Sequence, residues 1–304
     1  MNIKTEVNIG GLELQNPVIA ASGTFGFGRE YGEYIDLNSL GAISVKGLTL
    51  RPREGNLPPR IAETPSGILN SVGLQNPGVH AFIQEEIPFL RRYRCKIIAN
   101  VAGSTVEEYE EMAEILSSAD IDAIELNLSC PNVKAGCAAF GTSAAMIKEV
   151  TRRVKNKYNG PLFVKLTPNV TSISELALAA EEGGADAVSL INTLLGMAID
   201  IHTRRPILAN NTGGLSGPAI KPVALRMVNE VYRTVKIPII GMGGISTGDD
   251  AIEFLLAGAS AIMVGTASFV NPRACLDVFD DVLAYMKNYN IRDIASLTGS
   301  LRLN

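Results

Sequence analysis

Seven short apolar segments of the chain share a pattern at their C-terminal ends. Ala42-Ile43-Ser44-Val45 runs into Lys46, Ile97-Ile98-Ala99 into Asn100, and Ile124-Glu125-Leu126 into Asn127. Leu162-Phe163-Val164 runs into Lys165, and Ser189-Leu190-Ile191 into Asn192. The last two open into glycine instead, Ile239-Ile240 into Gly241-Met242-Gly243-Gly244 and Ile262-Met263-Val264 into Gly265-Thr266. Lysine and asparagine are depleted in strands, so their recurrence at strand ends needs a cause. A (β/α)8 TIM barrel provides one. Its reactive side chains stand at the C-terminal ends of several strands, and its phosphate site follows strands 7 and 8.

The rest of the chain agrees with that architecture. Asp122-Ala123-Ile124, Asp186-Ala187-Val188 and Ser260-Ala261-Ile262 echo one another, the last two after Gly-Ala turns that close helix-like stretches. Helix, small-residue turn and apolar strand make the repeating unit of a parallel sheet. Eight strands are expected near 17–22, 41–46, 96–101, 123–128, 161–166, 187–192, 237–241 and 261–265. Helical patterns fall at 105–118, 143–158, 172–182 and 247–256, with Thr105 and Thr247 placed to cap helix N-termini. Residues 5–9 and 12–14 around Gly10-Gly11 read as an N-terminal β-hairpin that plugs the barrel's bottom. Long irregular inserts follow strands 2, 4 and 6 (48–78, 129–141 and 193–217), and loops of that length are usually lids or binding loops. No linker divides the chain, so residues 1–304 are expected to form one domain.

Composition narrows the function. Net charge is −4 with no Lys/Arg-rich run, which argues against a nucleic-acid or anionic-membrane partner. Residues 1–6 show no signal-peptide character and no apolar run approaches the ~18 residues of a membrane span, so a cytoplasmic location is expected. The four cysteines, Cys95, Cys130, Cys137 and Cys275, are scattered without CxxC spacing. That disfavours structural disulfides, a zinc site or an iron–sulfur cluster within this chain.

Four constellations carry the chemistry. Asn127-Leu128-Ser129-Cys130-Pro131-Asn132 places a cysteine in a polar loop just past a strand. A free cysteine is usually a small buried hydrophobe, but this setting favours a reactive one. A nucleophilic cysteine normally needs a histidine, and His80 and His202 form no recognisable pair with it, which favours a proton-abstracting thiol. Lys165 sits in an apolar strand, where an ammonium is costly unless paired. It suits either a Schiff base or the holding of a cofactor's negative charge. Gly241 to Ser246 with Val264 to Ala267 form a candidate phosphate cradle, since glycine lets backbone N–H groups approach phosphate. Asn70, Asn100, Asn127, Asn132 and Asn192-Thr193 supply amide donors and acceptors suited to a flat heterocycle with ring N–H and C=O groups.

Taken together, these residues resemble a known family. Lys46-Gly47-Leu48-Thr49, Arg53 to Arg60, Asn70 to Gly78, Asn127 to Asn132, Val164 to Asn169 and Gly241 to Ile245 resemble class 1 dihydroorotate dehydrogenases. More narrowly they resemble the NAD-linked class 1B catalytic subunit, over essentially the whole chain. The resemblance implies an FMN-bearing barrel that oxidises dihydroorotate to orotate in pyrimidine synthesis. It assigns Cys130 as the base for the substrate C5 proton, with the C6 hydride passing to FMN N5. Lys46, Asn70, Asn127, Asn132, Asn192 and Thr193 would hold the substrate, Lys46 lying also near the flavin. FMN would rest on Ala21, Ser22 and Ile191 and be held by Asn100, Asn127 and Lys165. Its phosphate would meet Gly217, Gly243, Gly244, Gly265 and Thr266. Cys137 stands where the family usually has glycine, and reads as a tolerated small-residue replacement.

The chain has no Rossmann fingerprint, so if NAD is the final acceptor another polypeptide must bind it. The resemblance implies a partner with FAD and a [2Fe-2S] cluster, in a heterotetramer built on a homodimer of this chain. Three other readings compete with this one. They are a fumarate-using class 1A homodimer, a subunit acting on dihydrouracil-type rings, and a non-redox lyase with Lys165 as its Schiff base.

Overall fold

The computed structural model describes residues 3–128 and 140–304. Eight strands close a parallel barrel: β1 Val18–Ala20, β2 Ala42–Ser44, β3 Lys96–Val101, β4 Ala123–Asn127, β5 Leu162–Lys165, β6 Ala187–Leu190, β7 Ile239–Met242 and β8 Ala261–Val264. Each pairs with its successor and β8 pairs with β1, so the barrel has no free edge. Apart from Lys96, every strand residue is buried. Parallel strands covered on both faces must read as near-continuous apolar runs, and these do.

Six helices cover the outside: α1 Val106–Ser117, α2 Ala144–Lys155, α3 Ile173–Glu182, α4 Lys221–Tyr232, α5 Gly248–Ala257 and α6 Ala274–Asn288. Their apolar stripes, such as Met112 and Leu116 of α1 and Ile147, Val150 and Val154 of α2, join the strands in one core. Thr105, Ser143, Ser172 and Thr247 each accept a hydrogen bond from the backbone N–H three residues on, and Thr247 with Asp250 completes a capping box. The β1–β2 crossing carries only the short 3-10 turns Tyr31–Glu33 and Leu37–Ser39, whereas the β2–β3 crossing carries an unbroken helical run over 79–90 whose middle, Phe82–Glu86, is π-helical.

The hairpin Val7–Ile9 and Leu12–Leu14 is antiparallel and buries Val7, Ile9, Leu12 and Leu14. Gly10, at φ +56°, lies so close to the Asp186 carbonyl at the foot of β6 that a Cβ would overlap it. The hairpin therefore seals the bottom, as the sequence leads one to expect.

The inserts after β2 and β6 are less irregular than their composition suggests. Ile61–Thr64, Gly67–Asn70, Gly213–Ser216 and Leu194–Gly196 pair antiparallel into one four-stranded sheet above the rim. Each insert satisfies backbone groups that the other would otherwise leave unpaired. Of the insert after β4, residues 129–139 lie outside the described residues, and Cys130, Asn132 and Cys137 with them. Several strands are shorter than expected, so Lys46 and Asn192 stand beyond β2 and β6, whereas β7 extends to Met242 because Gly241 and Met242 pair with Ile262 and Met263. Among the described residues no helix is long and apolar enough to cross a membrane.

Candidate functional site

Above the C-terminal ends of the strands lies a cavity of about 480 Å³. Among the described residues its walls include Ala21, Ser22, Lys46, Asn70, Asn100, Asn127, Lys165, Ile191, Asn192 and Thr193. They also include Gly217, Gly243, Gly244, Gly265 and Thr266. Every site residue expected from the sequence is thus brought together except Cys130 and Asn132, which lie outside the described residues. The volume is that of a small-molecule or cofactor pocket.

Strand geometry explains the floor. Asn127 and Lys165 are register partners at the last positions of β4 and β5, and Asn100 pairs with Glu125 one step lower. Registered partners project to the same side, here the barrel interior. Lys165 is 5% exposed and its Nζ donates to Ser22 Oγ at 3.2 Å. No carboxylate pairs with Lys165 among the described residues. Lys46 is half-buried, and its ammonium likewise has no ion-pair partner among the described residues. Burial first, and then the nearby Arg60 guanidinium, hold its pKa below the ordinary lysine value. Two cations facing one cavity without a carboxylate leave a strong demand for an anionic ligand.

The glycine wall answers the other requirement. Gly217, Gly243 and Gly244 have φ of +98°, +120° and +85°. A Cβ on Gly244 would come within 2.8 Å of Lys221 Cβ and 2.9 Å of the Gly217 carbonyl, so no other residue fits that turn. Thr266 Oγ1 donates to Ser216 Oγ at 2.9 Å, tying the β8 loop to the accessory sheet. Backbone after strands 6, 7 and 8 thereby converges on one part of the cavity, as a phosphate cradle requires. Ser71 Oγ, in the cavity wall, is buried without a hydrogen-bond partner among the described residues. An orphaned donor of this kind fits a site shaped for a polar ligand.

The accessory sheet forms the roof. It carries Asn70, whose Nδ2 donates to the Gly214 carbonyl at 3.5 Å, and brings it near Thr193, which a Cβ on Gly214 would strike. Asn169, quoted in the sequence only as part of a motif, braces this roof: its Nδ2 donates to the Thr193 carbonyl (3.0 Å) and its Oδ1 accepts from Leu195 N–H (2.9 Å). Sequence reasoning also missed Ser71, Ser216 and Glu125. Only Glu125 left a local signal, an acidic residue in the middle of an otherwise apolar strand.

The two described cysteines are unlike a catalytic thiol. Burial raises Cys275 to about 12 and Cys95 to about 11. Both belong to the apolar core, where thiols are unreactive.

Comparison with known proteins agrees with the site. The family model for dihydroorotate dehydrogenase matches residues 4–286. The chain is 62% identical over 299 residues to the dihydroorotate dehydrogenase B (NAD(+)) catalytic subunit of Alkaliphilus metalliredigens, covering 98% of this chain and 99% of that protein. The subunit of the same name from Alkaliphilus oremlandii is 64% identical over 295 residues (97% and 98% covered). That from Thermoanaerobacter pseudethanolicus is 59% identical over 304 residues, with both chains covered in full. A cation-lined, glycine-walled rim on a closed barrel and likeness along the full length lead to one conclusion: the chain belongs to the dihydroorotate dehydrogenase family.

Proposed function

We propose that this chain is the FMN-bearing catalytic subunit of an NAD-linked dihydroorotate dehydrogenase, oxidising (S)-dihydroorotate to orotate in de novo UMP synthesis. The observation that carries the reading is the joining, in one cavity, of two lysines that have no carboxylate partner among the described residues with a wall of glycine backbone. A flavin phosphate suits the glycines, while the substrate carboxylate and an electron-rich flavin suit the lysines. Family membership leaves the Schiff-base reading of Lys165 without support.

The protein's own groups divide the work as follows. Lys46, Asn70, Asn127, Asn132, Asn192 and Thr193 bind the substrate ring and carboxylate, and the sheet that carries Asn70 roofs the ring against water. Ala21, Ser22 and Ile191 form the wall for the flavin, and Asn100 and Asn127 present amides to it. Lys165, steadied by Ser22, supplies positive charge beside it. Gly217, Gly243, Gly244, Gly265 and Thr266 hold the phosphate. Cys130 takes the C5 proton onto sulfur, and a thiol with an ordinary pKa of ~8.5 makes that step faster as pH rises. FMN, when bound, would supply the acceptor for the C6 hydride.

The onward path requires a second polypeptide. The relatives' name, catalytic subunit, supports one. We assign to it FAD and a [2Fe-2S] cluster, and place two copies of each chain in a cytoplasmic heterotetramer. Co-expression of the two chains tests this: co-elution on size exclusion with dihydroorotate-dependent NADH formation is expected. Separate elution, with reoxidation of the lone chain by fumarate, would transfer the reading to the class 1A type. Turnover of dihydrouracil but not dihydroorotate would overturn the substrate.

A further inference from the structure

One buried acid beneath the site has no part in the mechanism above. Glu125 lies inside the barrel on β4, fully buried, two residues before Asn127. Its two oxygens are pinned from three other strands. Ser189 Oγ of β6 donates to Oε1 at 2.6 Å, while Ser44 Oγ of β2 (2.9 Å) and Asn100 Nδ2 of β3 (2.5 Å) donate to Oε2. Ser44, Ser189 and Asn100 are themselves fully buried, so water does not compete for these bonds.

The consequence lies in the direction of the amides above. A carboxamide has a donor end and an acceptor end of nearly the same shape, and its neighbours decide which faces where. A carboxylate only accepts, so Asn100 must turn its Nδ2 down to Glu125. That leaves Asn100 Oδ1 to accept from Asn127 Nδ2 (3.4 Å), and Asn127 Oδ1 to accept from Asn192 Nδ2 (3.5 Å). At the far end Asn192 Oδ1 accepts from Thr193 N–H at 2.8 Å, and a backbone N–H only donates. The ladder of three amides is thus fixed in one sense at both ends, by an obligate acceptor below and an obligate donor above.

We infer that Glu125 is a positioning residue, which sets the donor and acceptor faces that Asn100, Asn127 and Asn192 present to flavin and substrate. The inference rests on the proposed function, which assigns those amides to the two ligands. It does not require Glu125 to touch either ligand.

The test reads orotate affinity from the flavin difference spectrum of the FMN-loaded chain. Glu125→Leu keeps the volume but leaves Asn100 Nδ2 without its acceptor, and orotate is expected to bind about tenfold more weakly, ~1.4 kcal/mol. Glu125→Gln keeps an acceptor for Asn100 and is expected to restore affinity to within about threefold of the unsubstituted protein. In an Asn100→Ala background Glu125→Leu is expected to add nothing further, because its effect travels through that amide. Unchanged orotate binding in folded Glu125→Leu, additivity with Asn100→Ala, or a Glu125→Gln as weak as the leucine variant would each overturn the inference. If Glu125→Leu does not fold, the Ser44→Ala/Ser189→Ala double variant carries the test, since it keeps the carboxylate but frees Oε1 and leaves Oε2 held by Asn100 alone among these partners, loosening the carboxylate that orients that amide. About threefold weaker binding there supports the inference, and unchanged binding overturns it. No orotate signal in the unsubstituted FMN-loaded protein would bring down the functional reading and this inference with it. A normal signal that the Glu125 variants leave unchanged would bring down this inference alone.

Discussion

The two ends of the barrel treat the same kinds of side chain in opposite ways. At the foot, Lys96 Nζ and Arg91 Nη1 meet the Asp122 carboxylate at 3.0 and 2.8 Å, and Lys155 Nζ meets Asp186 at 2.6 Å. Both aspartates also accept backbone N–H groups of a neighbouring strand, from Ile97 (2.9 Å) and Leu162 (2.8 Å). At the rim, Lys165 has a serine and Lys46 no anionic partner among the described residues. Charges at the foot close the fold, whereas charges at the rim are left for something the fold does not contain. A buried cation without a carboxylate costs stability, so its presence at the rim points to a ligand that offsets the cost.

The sharpest way to break this division is at the rim. Cys130→Ala is expected to lower the rate of flavin reduction by dihydroorotate by about 10²–10⁴-fold while leaving FMN bound, as stopped-flow absorbance would read. A rate near that of the unsubstituted protein would remove Cys130 from the chemistry. Lys165→Met is expected to weaken FMN binding and to raise the Tm of the flavin-free protein, because it removes an uncompensated ammonium. A lower Tm with normal FMN affinity would make Lys165 a structural residue after all.

A substitution at the foot should do the reverse. Asp122→Asn is expected to cost about 1–3 kcal/mol of stability, a Tm drop of a few degrees, with the rate of flavin reduction unchanged. Burial alone would raise the Asp122 pKa, but the Ile97 N–H together with Arg91 and Lys96 outweighs it and holds the value below the ordinary aspartate range. A depressed folded pKa contributes stability above the unfolded value of ~3.9, and that contribution is lost as pH falls through the folded one. The gap in Tm between Asp122→Asn and the unsubstituted protein should therefore be full at pH 6 and shrink below about pH 4. A gap as large at pH 3 as at pH 6 would deny the carboxylate its role. The smallest effect concerns the core thiols: iodoacetamide at pH 8 should leave Cys95 and Cys275 unmodified in the folded protein, as peptide mass analysis would show.

Much of this division can be read in the sequence, because it rests on strand ends. Lys165, Asn127 and Asn100 break apolar runs, and a parallel barrel leaves few other places for such residues. Gly243-Gly244 announces itself by the same logic, since turns at positive φ select glycine. The roof is different. Segments 61–70 and 194–216 pair across more than a hundred residues, and nothing local in either marks the other as its partner. Glu125 is hidden for a related reason. Within Ile124-Glu125-Leu126 it looks like an interruption, and its meaning depends on Ser44, Asn100 and Ser189 arriving from three other strands.

The proposed function turns on whether the rim holds a flavin poised against dihydroorotate. The visible spectrum of the FMN-loaded chain, taken anaerobically before and after adding dihydroorotate, tests it most directly. A flavin band that bleaches on addition in the unsubstituted protein and persists in Cys130→Ala is expected. A protein that takes up no FMN, or a band that dihydroorotate leaves unchanged, would contradict it.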